Sequence, residues 1–287
     1  MMRRLWERFS PERELRMLWQ VERDGRRSYL AGTAHFFPYR FRRSMRRLIR
    51  QVDTVLIEGP LDEASAQQVE AYGGTRGDSP SLVDLLPPEV RASILRELAV
   101  PPSRSGSHAL LHQLAGVPQE TLDWEALRSC RPWLAFFRVW SLFLRKTGWI
   151  YHMELDALAV ARALGKEVGF LETIEEQLAA LDGVPVERFA AFLTRGDWRG
   201  SRRIYAEHFL RGDLEALVAG AGVFPTYCDS IIANRDPVLY GRMRELLARG
   251  RTLALVGATH CRGLHELLRG NGFQVRRPWP EAPVPGA

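Results

Sequence analysis

An α/β fold is the class this sequence predicts: a mixed sheet flanked by helices, with a helical insertion, carrying its site at the C-terminal ends of its strands. Three observations support that expectation. Two apolar runs near opposite ends of the chain, Tyr29-Leu30-Ala31-Gly32 and Leu253-Ala254-Leu255-Val256-Gly257, each lead through two small residues into a histidine, His35 and His260. A third run, Thr54 to Ile57, ends in Glu58-Gly59-Pro60. Helical periodicity separates the three runs, the pattern of strands joined by crossover helices.

The elements follow in order. Residues 5–16 place Leu5, Trp6, Phe9 and Leu15 among charges, the spacing of a short amphipathic helix. Met17 to Glu22 alternates as a strand, and Asp24-Gly25 signals a hairpin into the next strand, Ser28 to Gly32. Arg40 to Gln51 reads as a basic helix. The strand Thr54 to Ile57 then delivers Glu58, a carboxylate costly to bury unpaired. Consecutive strands often lie side by side, so Glu58 is expected beside His35.

Residues 61–79 hold a helix and a glycine-rich loop. From about 80 to 150 the pattern is helical and broken by prolines, an insertion expected to cover the sheet, with its aromatic segment Trp133 to Leu144 as core. Within it His108 and His112 read as surface or cap residues. A helix is expected over Tyr151 to Leu164, its Glu154 and Asp156 suiting the dipole at its start. A short strand, Val168 to Leu171, ends at Glu172, a second carboxylate at a strand terminus. Thr173 and Glu176 form a capping box for the helix Ile174 to Leu181. Two helical segments are expected between Val184 and Gly220. Arg235-Asp236-Pro237 opens a helix running to Ala248, since proline is favoured in a first turn. After the second histidine strand come a helix, Cys261 to Leu268, and a last strand, Phe273 to Val275. The organisation expected is one domain over 17–276, with an N-terminal segment (1–16) and a disordered proline-rich tail (277–287).

The chain has 287 residues, 26% charged, with a net charge of +6. Arginines crowd the first fifty positions, among them Arg3, Arg4, Arg42, Arg43, Arg46 and Arg47, making this region a candidate for peripheral contact with an anionic membrane surface. No nucleic-acid-binding motif accompanies the charge, so nucleic acid is not an expected partner. Three widely spaced cysteines exclude a disulfide framework, and no apolar stretch approaches the roughly 20 residues of a membrane span. Cytoplasmic residence is the expectation.

His35, Glu58 and His260 form the candidate site. Two imidazoles and a carboxylate are a ligand set suited to Zn, Mn, Fe or Co, which would lower the pKa of bound water. Glu172 is the candidate proton shuttle, and Arg235 the candidate group for a developing oxyanion.

Gly32-Thr33-Ala34-His35, Glu58-Gly59 and Gly257-Ala258-Thr259-His260 resemble the two Gly-x-x-His motifs and intervening Glu of the TraB/PrgY/GumN family. That family includes the Tiki proteases and is more distantly related to erythromycin esterase and ChaN-like proteins. Glu154-Leu155-Asp156, Leu171-Glu172-Thr173 and Asn234-Arg235-Asp236 resemble its central and closing stretches. The resemblance implies a metal-dependent hydrolase of peptide or protein substrates, with Zn, Mn or Co held by His35, Glu58 and His260. Two other readings stay open: an esterase-like hydrolase in which a histidine and Glu58 activate water without metal, and a non-catalytic protein that binds a peptide or a haem-like ligand.

Overall fold

The computed structural model describes residues 12–78, 80–99 and 122–278. Within them a six-stranded mixed sheet is flanked by helices, in the order β4-β3-β5-β2-β1-β6. Strands β1 (Leu18–Arg23) and β2 (Arg26–Thr33) form the expected hairpin. Its turn residues Asp24 and Gly25 have φ of 52° and 74°, and two successive positive φ values are what a two-residue turn of matching twist requires. β3 (Thr54–Ile57), β4 (Glu167–Phe170) and β5 (Thr252–Gly257) run parallel, and β6 (Gln274–Arg276) pairs antiparallel with β1.

The order corrects one expectation. β2 and β3 do not touch, because β5 lies between them and pairs in parallel with both. The reason is burial: Leu253, Ala254, Leu255 and Val256 are each wholly buried, and a strand apolar on both faces belongs in the middle of a parallel sheet. Glu58 is therefore next to the end of the His260 strand instead of the His35 strand.

The helices divide between the two ends of the sheet. α1 (Arg42–Ile49) packs on α7 (Met153–Ala163), which in turn contacts β3 and β4. α12 (Asp236–Arg249) lies against β1, β2 and β5, and α13 (Cys261–Gly270) against α12 and β6. Helix α7 begins at Met153, two residues later than the periodicity suggests. Tyr151 exchanges backbone hydrogen bonds of 3.1 and 2.9 Å with Phe37 instead, tying the start of α7 to the loop after β2.

Between β3 and α7 come α2 (Glu63–Gly73), α3 (Leu82–Leu85), α4 (Pro88–Ala99), α5 (Trp124–Arg128) and α6 (Pro132–Lys146). The aromatic face of α6 is core, as expected, but its ring contacts run to other helices. Phe136 meets Phe189 at 5.0 Å, and Phe143 meets Trp198 at 4.8 Å. His108 and His112 lie outside the described residues, as do 1–11 of the N-terminal segment and 279–287 of the tail.

α8 (Ile174–Asp182) carries the full capping box of Thr173 and Glu176. Where two helical segments were expected there are three: α9 (Val186–Thr194), α10 (Trp198–Arg211) and α11 (Leu214–Ala221). Gly212 takes a left-handed φ of 73° and Asp213 caps the amide of Ala216, so the chain stops one helix and starts another within two residues. Residues 12–16 form no helix. Arg13 donates its amide to Arg40 at 2.8 Å, which holds this stretch extended and buries Leu15. All three cysteines are free, and no described helix is long and apolar enough to cross a membrane.

His265 on α13 is buried with its edge toward Trp19, ring centroids 4.4 Å apart, and its Nε2 has no hydrogen-bond partner among the described residues. Burial, with Arg269 and Arg277 nearby, pushes its pKa from 6.5 down to about 3. The unfolded chain binds this proton below about pH 6.5 and the folded chain refuses it until about pH 3, so stability is lost as the pH is lowered through that window. His265→Leu is expected to lose less thermal stability than wild type between pH 7 and pH 4, as read by melting curves at each pH.

Candidate functional site

The parallel pairing of β3 and β4 continues past the strands, to Glu58 one residue beyond β3 and Glu172 two residues beyond β4. Leu171 donates its amide to Ile57 at 2.9 Å, and Glu172 donates to the carbonyl of Glu58 at 2.9 Å. That register stands the two carboxylates side by side. Both are buried, and Arg235 at the start of α12 lies between them. Its Nη2 donates to Glu58 Oε1 at 2.5 Å and also to Glu172 Oε2, while Nε donates to Glu172 Oε1 at 2.9 Å. The other oxygen of Glu58 accepts the amide of Gly257, the last residue of β5, at 2.7 Å.

β5 then turns through a short 3-10 segment (Ala258–His260) that buries His260. The imidazole Nδ1 is 2.6 Å from Asp236 Oδ1. An ionised carboxylate only accepts, so Nδ1 carries a proton and donates it to Asp236. Nε2 faces Arg235 Nη1 at 3.4 Å and Glu58 Oε1 at 4.0 Å. Adjacent residues at the head of α12 therefore serve two partners, Arg235 the carboxylates and Asp236 the histidine. Asp236 reaches His260 only because residue 263 is glycine: a Cβ there would stand 2.0 Å from Asp236 Oδ2.

His35 follows β2 and stands beside this cluster. Its Nδ1 is 3.4 Å from Oε1 of buried Glu154, in the first turn of α7, where the Phe37–Tyr151 bridge brings that helix in. The side chain of His35 is 68% exposed, whereas that of Glu154 is 4% exposed. Glu154 is the main cause raising the His35 pKa to about 9, and Glu58 adds to it. Solvent around the ring screens part of that attraction. Burial disfavours charge on Glu58, but His260 and Arg235 outweigh it and hold its pKa down to about 2. Tyr205 on α10 is pushed well above the ordinary phenol range by burial and by Glu154, which keeps its hydroxyl protonated.

Of the five residues singled out from the sequence, Glu58, Glu172 and His260 each meet Arg235, and His35 lies within their field. Sequence reasoning missed Asp236 and Glu154, the carboxylates behind the two histidines. It read both as residues of helix starts and of stretches that resemble the family, and gave neither a role in the site, since acids at helix N-termini already have a sufficient cause. It also missed Gly263. A glycine inside a helix costs about 1 kcal/mol relative to alanine, so its presence there is a signal of close packing.

The fit of a divalent ion divides between these groups. Each imidazole has a carboxylate behind Nδ1, the arrangement found around metal-bound histidine. Glu58 does not fit as it is held, because one oxygen is engaged by Arg235 and the other by the Gly257 amide. Among the described residues, no group of three or more His, Cys, Asp or Glu side chains is placed to hold an ion.

The fold and the site define an α/β protein with two carboxylate-backed histidines and an arginine-bridged carboxylate pair beyond its parallel strands. The chain belongs to the TraB/PrgY/gumN family, whose pattern matches residues 17–277. Comparison with curated proteins gave no match.

Two expected outcomes test this geometry. NMR titration of the His35 ring is expected to give a midpoint above 6.5, falling toward 6.5 in Glu154→Gln, because the raised value depends on that carboxylate. Gly263→Ala forces Asp236 away from His260. It is expected to lower stability by about 1–3 kcal/mol in denaturant unfolding and to shift the His260 ring resonances.

Proposed function

We propose that this chain is a hydrolase of peptide or ester bonds whose own side chains activate water. The observation that supports this best is the buried His260–Asp236 pair, with Nε2 directed at Arg235 and Glu58. In this reading Nε2 is the general base that takes a proton from water, and Asp236 fixes the tautomer and balances the imidazolium that forms. Arg235 has five N–H donors, of which three meet Glu58 and Glu172 and a fourth rests on His260 Nε2, which gives up that contact when it acts on water. The fifth, on Nη1, has no partner among the described residues and is available to the oxyanion that develops when water adds to a carbonyl. His35, paired with Glu154 and open to solvent, protonates the departing group. Glu58 and Glu172 act by holding Arg235 in place. The likeness to proteases noted from the sequence favours a peptide or protein as substrate.

The second reading is a metallopeptidase with Zn, Mn or Co on His35, Glu58 and His260. The carboxylate behind each imidazole favours it, but it requires Glu58 to exchange Arg235 for the ion.

The test is a screen of peptide libraries and simple esters with chelator-treated protein. Turnover is expected to survive chelation and to fall by about 10²–10⁴-fold in His260→Ala, with a large loss in Asp236→Asn as well. Turnover abolished by chelation and restored by Zn, Mn or Co would favour the second reading. Absence of any cleavage across the screen would defeat both.

A further inference from the structure

Arg235 stands among three metal-ligating side chains which, with it in place, are not set to hold an ion: two carboxylates meet its Nη2 and an imidazole faces its Nη1. Glu58 Oε1 and Glu172 Oε2 both bond its Nη2, and His260 Nε2 lies 4.0 Å from that same Glu58 oxygen and 3.4 Å from Arg235 Nη1. The elements that carry these groups have anchors besides Arg235. Glu58 and Glu172 are set by the β3–β4 register and the Gly257 amide, and His260 by Asp236. Arg242 adds a further tie, donating to the Leu171 carbonyl at 2.6 Å and to Glu176. The side chain of Arg235 is only 12% exposed, so its charge is neutralised by these neighbours more than by water.

We infer that Arg235 is a built-in cation that excludes a divalent ion from this cluster, and that Glu58, Glu172 and His260 make a latent cation site uncovered when Arg235 is removed. The latent set differs from the one the family resemblance implies, since Glu172 replaces His35. Two carboxylate oxygens and an imidazole nitrogen suit Mn, Co or Zn. A planar guanidinium satisfies the same oxygens through a fixed fork of donors, and it is charged at any pH the protein meets. The inference deepens the metal-free reading of the site and rests on it, but its test reads binding and not turnover.

Metal-free wild type, Arg235→Lys and Arg235→Met are titrated with Co²⁺, Mn²⁺ and Zn²⁺ by calorimetry, with the visible absorption of bound Co²⁺ as a second signal. Arg235→Met is expected to bind one ion per chain at least about tenfold more tightly than wild type. It is also expected to melt below wild type without metal and to recover when metal is added. Arg235→Lys retains a cation and is expected to behave as wild type. Binding in Arg235→Met that disappears on adding Glu172→Gln supports the latent set. Stoichiometric ion uptake by wild type, lost in Glu58→Gln, overturns the inference, and that arm needs no variant to fold without its arginine. An Arg235→Met chain that binds no ion, or that folds neither with nor without one, also overturns it. A wild type that binds no ion and cleaves nothing leaves the internal cation standing and sinks only the hydrolase reading.

Discussion

One arginine suspended between two buried carboxylates is the constraint around which this structure is arranged. Glu58 and Glu172 are both nearly inaccessible, and two like charges side by side in a protein interior repel each other and forgo their hydration. Arg235 offsets both costs through a single guanidinium, helped at Glu58 by the Gly257 amide. Breaking such a buried pair costs about 3–5 kcal/mol, a large share of the net stability of a domain. The cluster therefore ties the ends of β3, β4 and β5 to the head of α12.

Much of the fold can be read from the sequence because its signals are local. Apolar runs ending in glycine mark the parallel strands, Asp24-Gly25 marks the hairpin, and Thr173 with Glu176 marks a helix start that forms as a complete capping box. Strand order is different in kind. Periodicity shows that Leu253 to Val256 is apolar throughout, but it does not say which edges will flank the strand. The preference for adjacent consecutive strands points to β2 beside β3, and the more completely buried strand takes the place between them.

The site shows the same division. His35, Glu58, His260, Glu172 and Arg235 are conspicuous because a polar side chain at the end of an apolar strand, or an arginine at the head of a helix, asks for a partner. Their partners are not conspicuous. Glu154 and Asp236 sit in helix first turns, where an acid is ordinary, and only the tertiary approach of α7 to the β2 loop and of α12 to β5 sets them behind the histidines. Gly263 had the one local signal available, a helix-weakening residue with a space to keep open.

Placing β5 at the centre of the sheet has a consequence for how the chain is made. During synthesis β2 and β3 emerge early with bare edges facing a gap, and the strand that fills it arrives only at residues 252–257. Pairing at such separation is slow, and unpaired edges invite association with other chains while they wait. A ribosome-bound fragment stopping before β5 would be missing its middle, with Glu58 deprived of the Gly257 amide and no His260 at all. Because the strand that completes the sheet also brings the second histidine, the sheet and the candidate site are completed together.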